Sequence, residues 1–283
     1  MDLIFLLAMN GLVWGLIIAL IALGLSIILG LLDVINIAHG DFFMLGAVGC
    51  WFVLAAGLPF WVALILVPLV GLAFGALVQQ LVIKPVQVSP SLSIVATFGL
   101  SLILQESVRA TFGAAPQRIS PPVSGTVELF GVNYDVYRLV AAGFASAVLA
   151  GFFIFLNKTK FGTRMRAVRL DKDMAIALGI PSNQIFMATF AIGASVAMVG
   201  GIVASPITSI EFRLGIDILP LCFMAVIIGG LGNLPGTVAA AVLISVTEGV
   251  LTAFVEPTGA RIATLLFMCV VLLVRPQGLF SRG

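Results

Sequence analysis

Few side chains in this chain can do chemistry, and their spacing rules most of it out. There is one histidine, His39, and the three cysteines, Cys50, Cys222 and Cys269, sit in apolar stretches at unrelated spacings. They read as small buried hydrophobes, with no His/Cys cluster to hold a metal. No Ser/His/Asp set and no carboxylate pair at a usable spacing supports hydrolysis or acid–base catalysis. Lys158-Thr159 is the only Lys-Thr or Lys-Ser pair, and Leu156-Asn157 precedes it where a phosphate-binding loop needs glycine. No nucleotide binds by that route, so the chain is expected to be no enzyme and to bind no cofactor of its own.

What remains is a small set of charges set in apolar sequence. His39, Gly40 and Asp41 stand where an apolar helix begins. Asp41 reads either as an N-cap or first-turn anion favoured by the helix dipole or as part of a cytoplasmic gate. Glu106 and Arg109, three apart toward the end of a helix, read as a local ion pair. Glu248 lies within an apolar helix and has two readings: a pathway or coupling residue, or a structural inter-helix hydrogen bond. Hydroxyls and amides at Asn10, Ser26, Thr97, Ser101, Gln105, Ser195 and Thr247 are the remaining polar groups available to a mostly apolar path.

Six of the 14 Lys and Arg residues fall between Lys158 and Lys172, in a charged island at 157–184. Arg166, Arg169 and Asp173 share one stripe of it, and Ala167, Leu170, Met174 and Leu178 another. Arginines in the first turn of one long helix would oppose its dipole. Two short helices fit better: one ending near Leu170, and a second capped by Asp171, carrying Asp173 early and stopping at Gly179-Ile180-Pro181. Such a pair, lying on a membrane surface, offers an edge to a partner, whereas a plain solvated loop explains the charges but not the caps.

The elements that position these residues must lie in a bilayer. Mean hydropathy is +1.24, with 61% apolar and 9% charged residues, where soluble domains carry about 25% charged residues. The positive residues are confined to loops, and the net charge of +2 gives no nucleic-acid surface. A spanning helix takes roughly 20 apolar residues, which places helices near 3–31, 41–57, 60–82, 91–111, 136–156, 184–206, 217–230, 236–255 and 259–274. The reading is an all-α polytopic membrane protein of 8–9 transmembrane or partly re-entrant helices, forming a single transmembrane domain over 1–283. The first helix lacks a basic n-region and exceeds the usual signal-peptide length, so it reads as retained.

Positive-inside counting puts the island, Lys84, Arg275 and Arg282 on the cytoplasmic side, with Arg109, Arg118, Arg138, Arg213 and Arg261 opposite. The N-terminus is then outside and the C-terminus cytoplasmic. The external loop 113–135, with Pro116, Pro121 and Pro122, cannot be helical and suits a small hairpin around Gly131 to Asn133. Two stretches, 33–47 and 227–241, break the helical pattern at or near membrane depth. Irregular backbone there is tolerated only where protein covers it or water lines it, and each break precedes a helix N-terminus. Both are therefore expected to border the translocation path: His39, Gly40 and Asp41 in the first, Gly229, Gly230, Gly232, Asn233, Pro235 and Gly236 in the second, with Glu248 further along.

The segment from Asp173 through Ala175 to Gly179 resembles the E-A-A-x-x-x-G docking loop of ABC importer permeases, with Asp for Glu and Met for the first Ala. NIAHGDFFMLGA (36–47), RAVRLDKDMAIALGI (166–180), GGLGNLPG (229–236) and RPQGLF (275–280) resemble the LivH-type permease subunits of branched-chain amino acid importers. The resemblance runs in order along nearly the whole chain. The trailing I-x-L-P of the general permease loop is missing, as is usual for this branch.

The resemblance implies ABC importer permease architecture in a bacterial or archaeal inner membrane. It implies a LivM-like second permease, two ATPase subunits carrying ATP and Mg, and a periplasmic or lipid-anchored binding protein. It also places the short helix at Asp171 to Gly179 in the ATPase groove, with Arg164, Arg166 and Arg169 on its rim. The implied cargo is a small neutral or zwitterionic solute, foremost branched-chain or other neutral amino acids. Urea, short amides and aromatic acids are the alternatives within the branch. An ion-coupled secondary transporter, in which Glu248 would be essential, is the reading from another class.

Overall fold

The computed structural model describes residues 2–86, 89–129, 131–275 and 278–280. In chain order it contains α1 (Asp2–Leu32), α2 (His39–Ala55) and α3 (Phe60–Val78), the last running through a π-helical turn (Gln79–Ile83) into the single turn α4 (Lys84–Val86). α5 (Pro90–Phe112) leads to β1 (Thr126–Leu129) and β2 (Val132–Asp135), then α6 (Val136–Lys158). The short helices α7 (Lys160–Leu170) and α8 (Lys172–Ala177) precede α9 (Ser182–Ala204), α10 (Leu214–Gly229), α11 (Leu234–Leu251) and α12 (Pro257–Val274). Among the described residues, seven helices are long and apolar enough to cross a membrane, and α2 and α10 are shorter apolar helices. This is an all-α polytopic membrane protein.

α1 and α9 form its centre. Both are apolar on every face, as a helix surrounded by other helices must be, and both are largely buried, whereas α12 is mostly exposed. α1 packs along α11 and α9, and α9 packs in turn on α2 and α3. Lipid tails leave no hydrophobic force to press helices together, so close backbone contact between small residues does the work. Gly11 and Gly15 lie on the α11 backbone at Ser245 and Val242, Gly24 on Gly193, and Gly201 on Phe43 of α2. Large side chains such as Ile65, Val95 and Leu273 face outward, where a bilayer would meet them. Cys50 and Cys222 are buried as expected, but Cys269 is exposed on α12.

The two ends of the bundle differ in chemistry. One carries the hairpin, in register Thr126↔Asp135 to Leu129↔Val132. Its turn lies between Leu129 and Val132, with Gly131 at φ +83°. Asn133, expected in the turn, instead pairs with Glu128 within the strands. Asn10 of α1 ties this end together, its Oδ1 accepting from Tyr134 Oη at 3.1 Å and Arg138 Nη1 at 2.8 Å. The Glu106–Arg109 pair is also here, at 2.9 Å and exposed. The opposite end carries the charged island, and all four lysines lie there. Arg282 lies outside the described residues.

Both expected breaks occur, but they are narrower than 33–47 and 227–241. The first is the irregular stretch 33–38, opening at Asp33 with φ +51°. It turns back along α1, and α2 begins at His39 rather than Asp41. Its backbone is satisfied from α5: Ile37 N donates to Thr97 Oγ1 at 3.1 Å, and that hydroxyl lies 3.3 Å from the Ile35 carbonyl. This is how irregular backbone survives at membrane depth. The second break is the short turn 230–233, after which α11 begins at Leu234. α10 begins at Leu214, earlier than the expected 217. Residues 205–213 descend from the hairpin end to reach it, held there by the pairing of Gln117 with Ile210.

Candidate functional site

The first break and the start of α10 meet inside the bundle. His39 is fully buried, and its Nε2 stands 3.0 Å from the Ile21 carbonyl, so that nitrogen carries the proton and donates. Ile21 lies about 17 Å along α1 from its island end, which places the start of α2 well inside the membrane. Asp41, also buried, accepts through Oδ1 from Gln105 Nε2 at 3.1 Å, and the same amide nitrogen donates to Ser101 Oγ at 2.9 Å. Gly40 packs against the Gly215 carbonyl, and Gly215 packs against the Asp41 backbone and carboxylate. A side chain at either glycine would drive the two first turns apart.

This arrangement puts one carboxyl at the first turn of α2 and against the first turn of α10. Helix N-termini present unpaired N–H groups and partial positive charge, and a carboxyl at membrane depth is costly without such compensation. Asp41 therefore sits between the first turns of two helices, with Gln105 as a side-chain donor. The Asn36 amide and His39 Nδ1 are buried with no hydrogen-bond partner among the described residues. Sequence reading found Asp41 but missed its partner. The available signal was Gly215 directly after the polar interruption at Glu211 and Arg213.

The charged island folds as two helices separated at Asp171. Asp171 Oδ1 accepts from Met174 N at 2.9 Å, an N-cap on α8. α8 ends in a C-terminal loop in which Gly179 N donates to Ile176 O at 2.9 Å and Ile180 N to Ala175 O at 3.0 Å, with Gly179 at φ +79°. That left-handed residue is the standard glycine stop. Ala175 is the buried contact of α8, at 2% exposure, while Leu170 at 87%, Met174 at 58% and Leu178 at 73% point outward. Together these form a row of exposed apolar side chains among charges, the type of patch at which interaction sites are found.

The island's basic residues are disposed unequally. Arg164 is exposed and makes no hydrogen bond among the described residues. Arg166 folds back, its Nη1 donating to Leu156 O at 2.7 Å. Arg169 reaches across to the second break, its Nη1 donating to Gly232 O at 2.9 Å. There Gly229 packs on Gly236 and Thr237, and Gly230 and Gly232 have φ of +92° and +75°. Asn233 caps α11 by accepting from Gly236 N at 3.3 Å, with Pro235 in the first turn. An open depression of about 760 Å³ lies over Arg169, Gly232, Asn233, Pro235 and Phe280.

The residues expected along a path thus fall into three places. His39, Gly40 and Asp41 are at the internal junction, and the glycines of 229–236 are at the island end beside Arg169. Glu248 is at the hairpin end, 3.4 Å from Arg261 Nε. Of the other polar candidates, Ser101 and Gln105 join the junction, and Thr97 supports the first break. Ser195 donates to Pro68 O at 2.9 Å, Ser26 pairs with Thr237, and Thr247 lines an apolar cavity between α11 and α12.

Residues 7–275 match the family model described as branched-chain amino acid transport system / permease component. The high-affinity branched-chain amino acid transport system permease protein LivH of Escherichia coli (strain K12) is 28% identical, over 96% of this chain and 94% of that protein. BraD of Pseudomonas aeruginosa, described in the same terms, is likewise 28% identical over 96% and 94%. A probable LivH of Methanocaldococcus jannaschii is 25% identical over 95% and 90%. Among solved structures, PsaBC from Streptococcus pneumoniae in complex with Fab shares 16% identity at TM-score 0.49, covering 95% of this chain and 91% of that one. With nearly its whole length matched by the family model, the chain belongs to the permease component family of branched-chain amino acid transport systems.

Proposed function

We propose that this chain is the membrane permease subunit of an ABC importer that moves a small neutral or zwitterionic solute inward, with branched-chain and other neutral amino acids as its substrate class. ATP is hydrolysed, with Mg, on two partner ATPase subunits, since this chain has no ATPase motif of its own. A second, LivM-like permease completes the membrane unit, and a binding protein delivers substrate at the hairpin end. The island end then faces the cytoplasm, as the clustering of lysine and arginine there favours.

The observation that carries this reading is α8: a capped helix of six residues that buries only Ala175 and displays Met174, Ile176 and Leu178 to solvent at the basic end. Nothing among the described residues covers these side chains, and a groove on an ATPase subunit is the partner surface that the family implies. The names of the relatives support the substrate class. The internal junction suits a neutral solute, because its one carboxyl, Asp41, already accepts from Gln105.

The test is uptake of radiolabelled L-leucine into proteoliposomes holding the complex that co-purifies with this chain. Uptake is expected to require ATP inside the partner subunits' compartment and to survive collapse of ion gradients. Gly179→Val, which forces a β-branched residue into a left-handed conformation at a cost of about 1–2 kcal/mol, is expected to abolish uptake while the chain still reaches the membrane. Uptake by this chain alone without ATP would overturn the reading, as would loss of uptake on dissipating an ion gradient with ATP present.

A further inference from the structure

The Arg169 hydrogen bond belongs to a continuous set of contacts running from the island to the interior. Its guanidinium holds the Gly232 carbonyl, and Gly232 is so close that an added Cβ would strike the guanidinium itself. Gly30, near the end of α1, approaches Gly232 Cα and would bring a Cβ within 3.1 Å of it. The 230–233 turn is also stapled from behind, with Asn233 Nδ2 donating to Phe280 O at 2.6 Å and Leu279 N to Ile228 O at 2.8 Å. From this turn α10 runs back, about 24 Å long at the rise of an α-helix. Its far end is Gly215, in contact with Asp41 of the internal junction.

We infer that Arg169 is a positioning residue that transmits movement of the α7–α8 pair to the junction of α2 and α10, with the 230–233 turn as its lever and α10 as the strut. The inference rests on the permease reading above. It assigns Arg169 inward, to the chain's own backbone, and leaves the partner-facing role to α8. Packed elements move as units because close-packed interiors do not deform continuously. A shift of α7 therefore pulls the Gly232 carbonyl, and α10 carries that displacement to Gly215 and to the Asp41–Gln105 contact. Pro220, within α10, removes one backbone hydrogen bond and allows the strut to bend there rather than break.

The experiment compares Arg169→Ala, Arg169→Gln and Arg169→Lys in the complete reconstituted complex, reading co-purified ATPase subunits, ATP hydrolysis, and L-leucine imported per ATP. Arg169→Ala is expected to keep its ATPase subunits and its hydrolysis while leucine per ATP falls about fivefold or more, the range of a measurable coupling free energy. Arg169→Gln, which retains an N–H donor for the Gly232 carbonyl, restores part of the ratio. Gly232→Ala, strained at its positive φ and pressed against the guanidinium, repeats the uncoupling from the other side. If Arg169→Ala does not fold, Arg169→Met against Arg169→Gln makes the same comparison.

A rim contact with the ATPase predicts the other pattern: subunits lost in step with uptake, rescue by Lys and none by Gln. That pattern overturns the inference, and so does an unchanged leucine-to-ATP ratio in Arg169→Ala. If the unsubstituted complex imports nothing on ATP, it is the permease reading that fails, before any variant is compared.

Discussion

Asp171 and Arg169 stand two positions apart, but only the partner of the first is local enough to be legible in the sequence. The Asp171 cap was legible because its partner, Met174 N, is three residues away, and an Asp at the junction of two helices has few other uses. Replacing it with Ala is expected to cost α8 about 1 kcal/mol, seen as faster backbone hydrogen exchange at 174–177, with Asp171→Ser near normal. Equal exchange in the Ala variant would show that packing of Ala175, and not the cap, holds α8. The Arg169 partner is 63 residues away, and no local rule points to it. The same holds at Asp41, where the carboxyl was noticed but Gly215 was not. Gln105→Ala removes one of the side-chain hydrogen bonds to a buried carboxyl, leaving Ser101, at an expected cost of about 1–3 kcal/mol. The check is the thermal transition of the purified protein, which should fall; an unchanged transition would mean that Asp41 is satisfied without Gln105.

Among the elements, helix existence was easy to read and helix starts were not. Long apolar runs at α1, α3, α5, α6, α9, α11 and α12 announce themselves by length alone. α2 and α10 each begin inside the bundle, and their first residues are set by contacts with each other rather than by a cap or a run of polar sequence. Glycine placement carries the packing between these elements. Gly201 lies against the Phe43 backbone with no room for a side chain, whereas Gly99 has nothing nearby. Overfilling a packed interface costs about 1–3 kcal/mol or more, so Gly201→Leu is expected to lose the sharp size-exclusion peak of the purified chain. Gly99→Leu should keep it. Identical behaviour of the two variants would contradict the packing of α2 on α9 described here.

For the molecule as a whole, the difference between its ends is what the proposed function rests on. Sequence alone showed that the basic residues cluster, because Lys and Arg are costly at membrane depth and collect in loops and at helix ends. It did not show that the clustered end also gathers Arg169, the second break and Phe280 around one depression. Those contacts are made by residues far apart in the chain. On this account, one end receives substrate and the other receives force. The most direct measurement is photo-crosslinking in intact membranes from a benzophenone side chain placed at Leu178 or at Val127, which are exposed on α8 and on the hairpin respectively. The account predicts an ATPase-subunit adduct from Leu178 and none from Val127. An ATPase adduct from the hairpin, or only lipid adducts from Leu178 in a transport-competent complex, would contradict it.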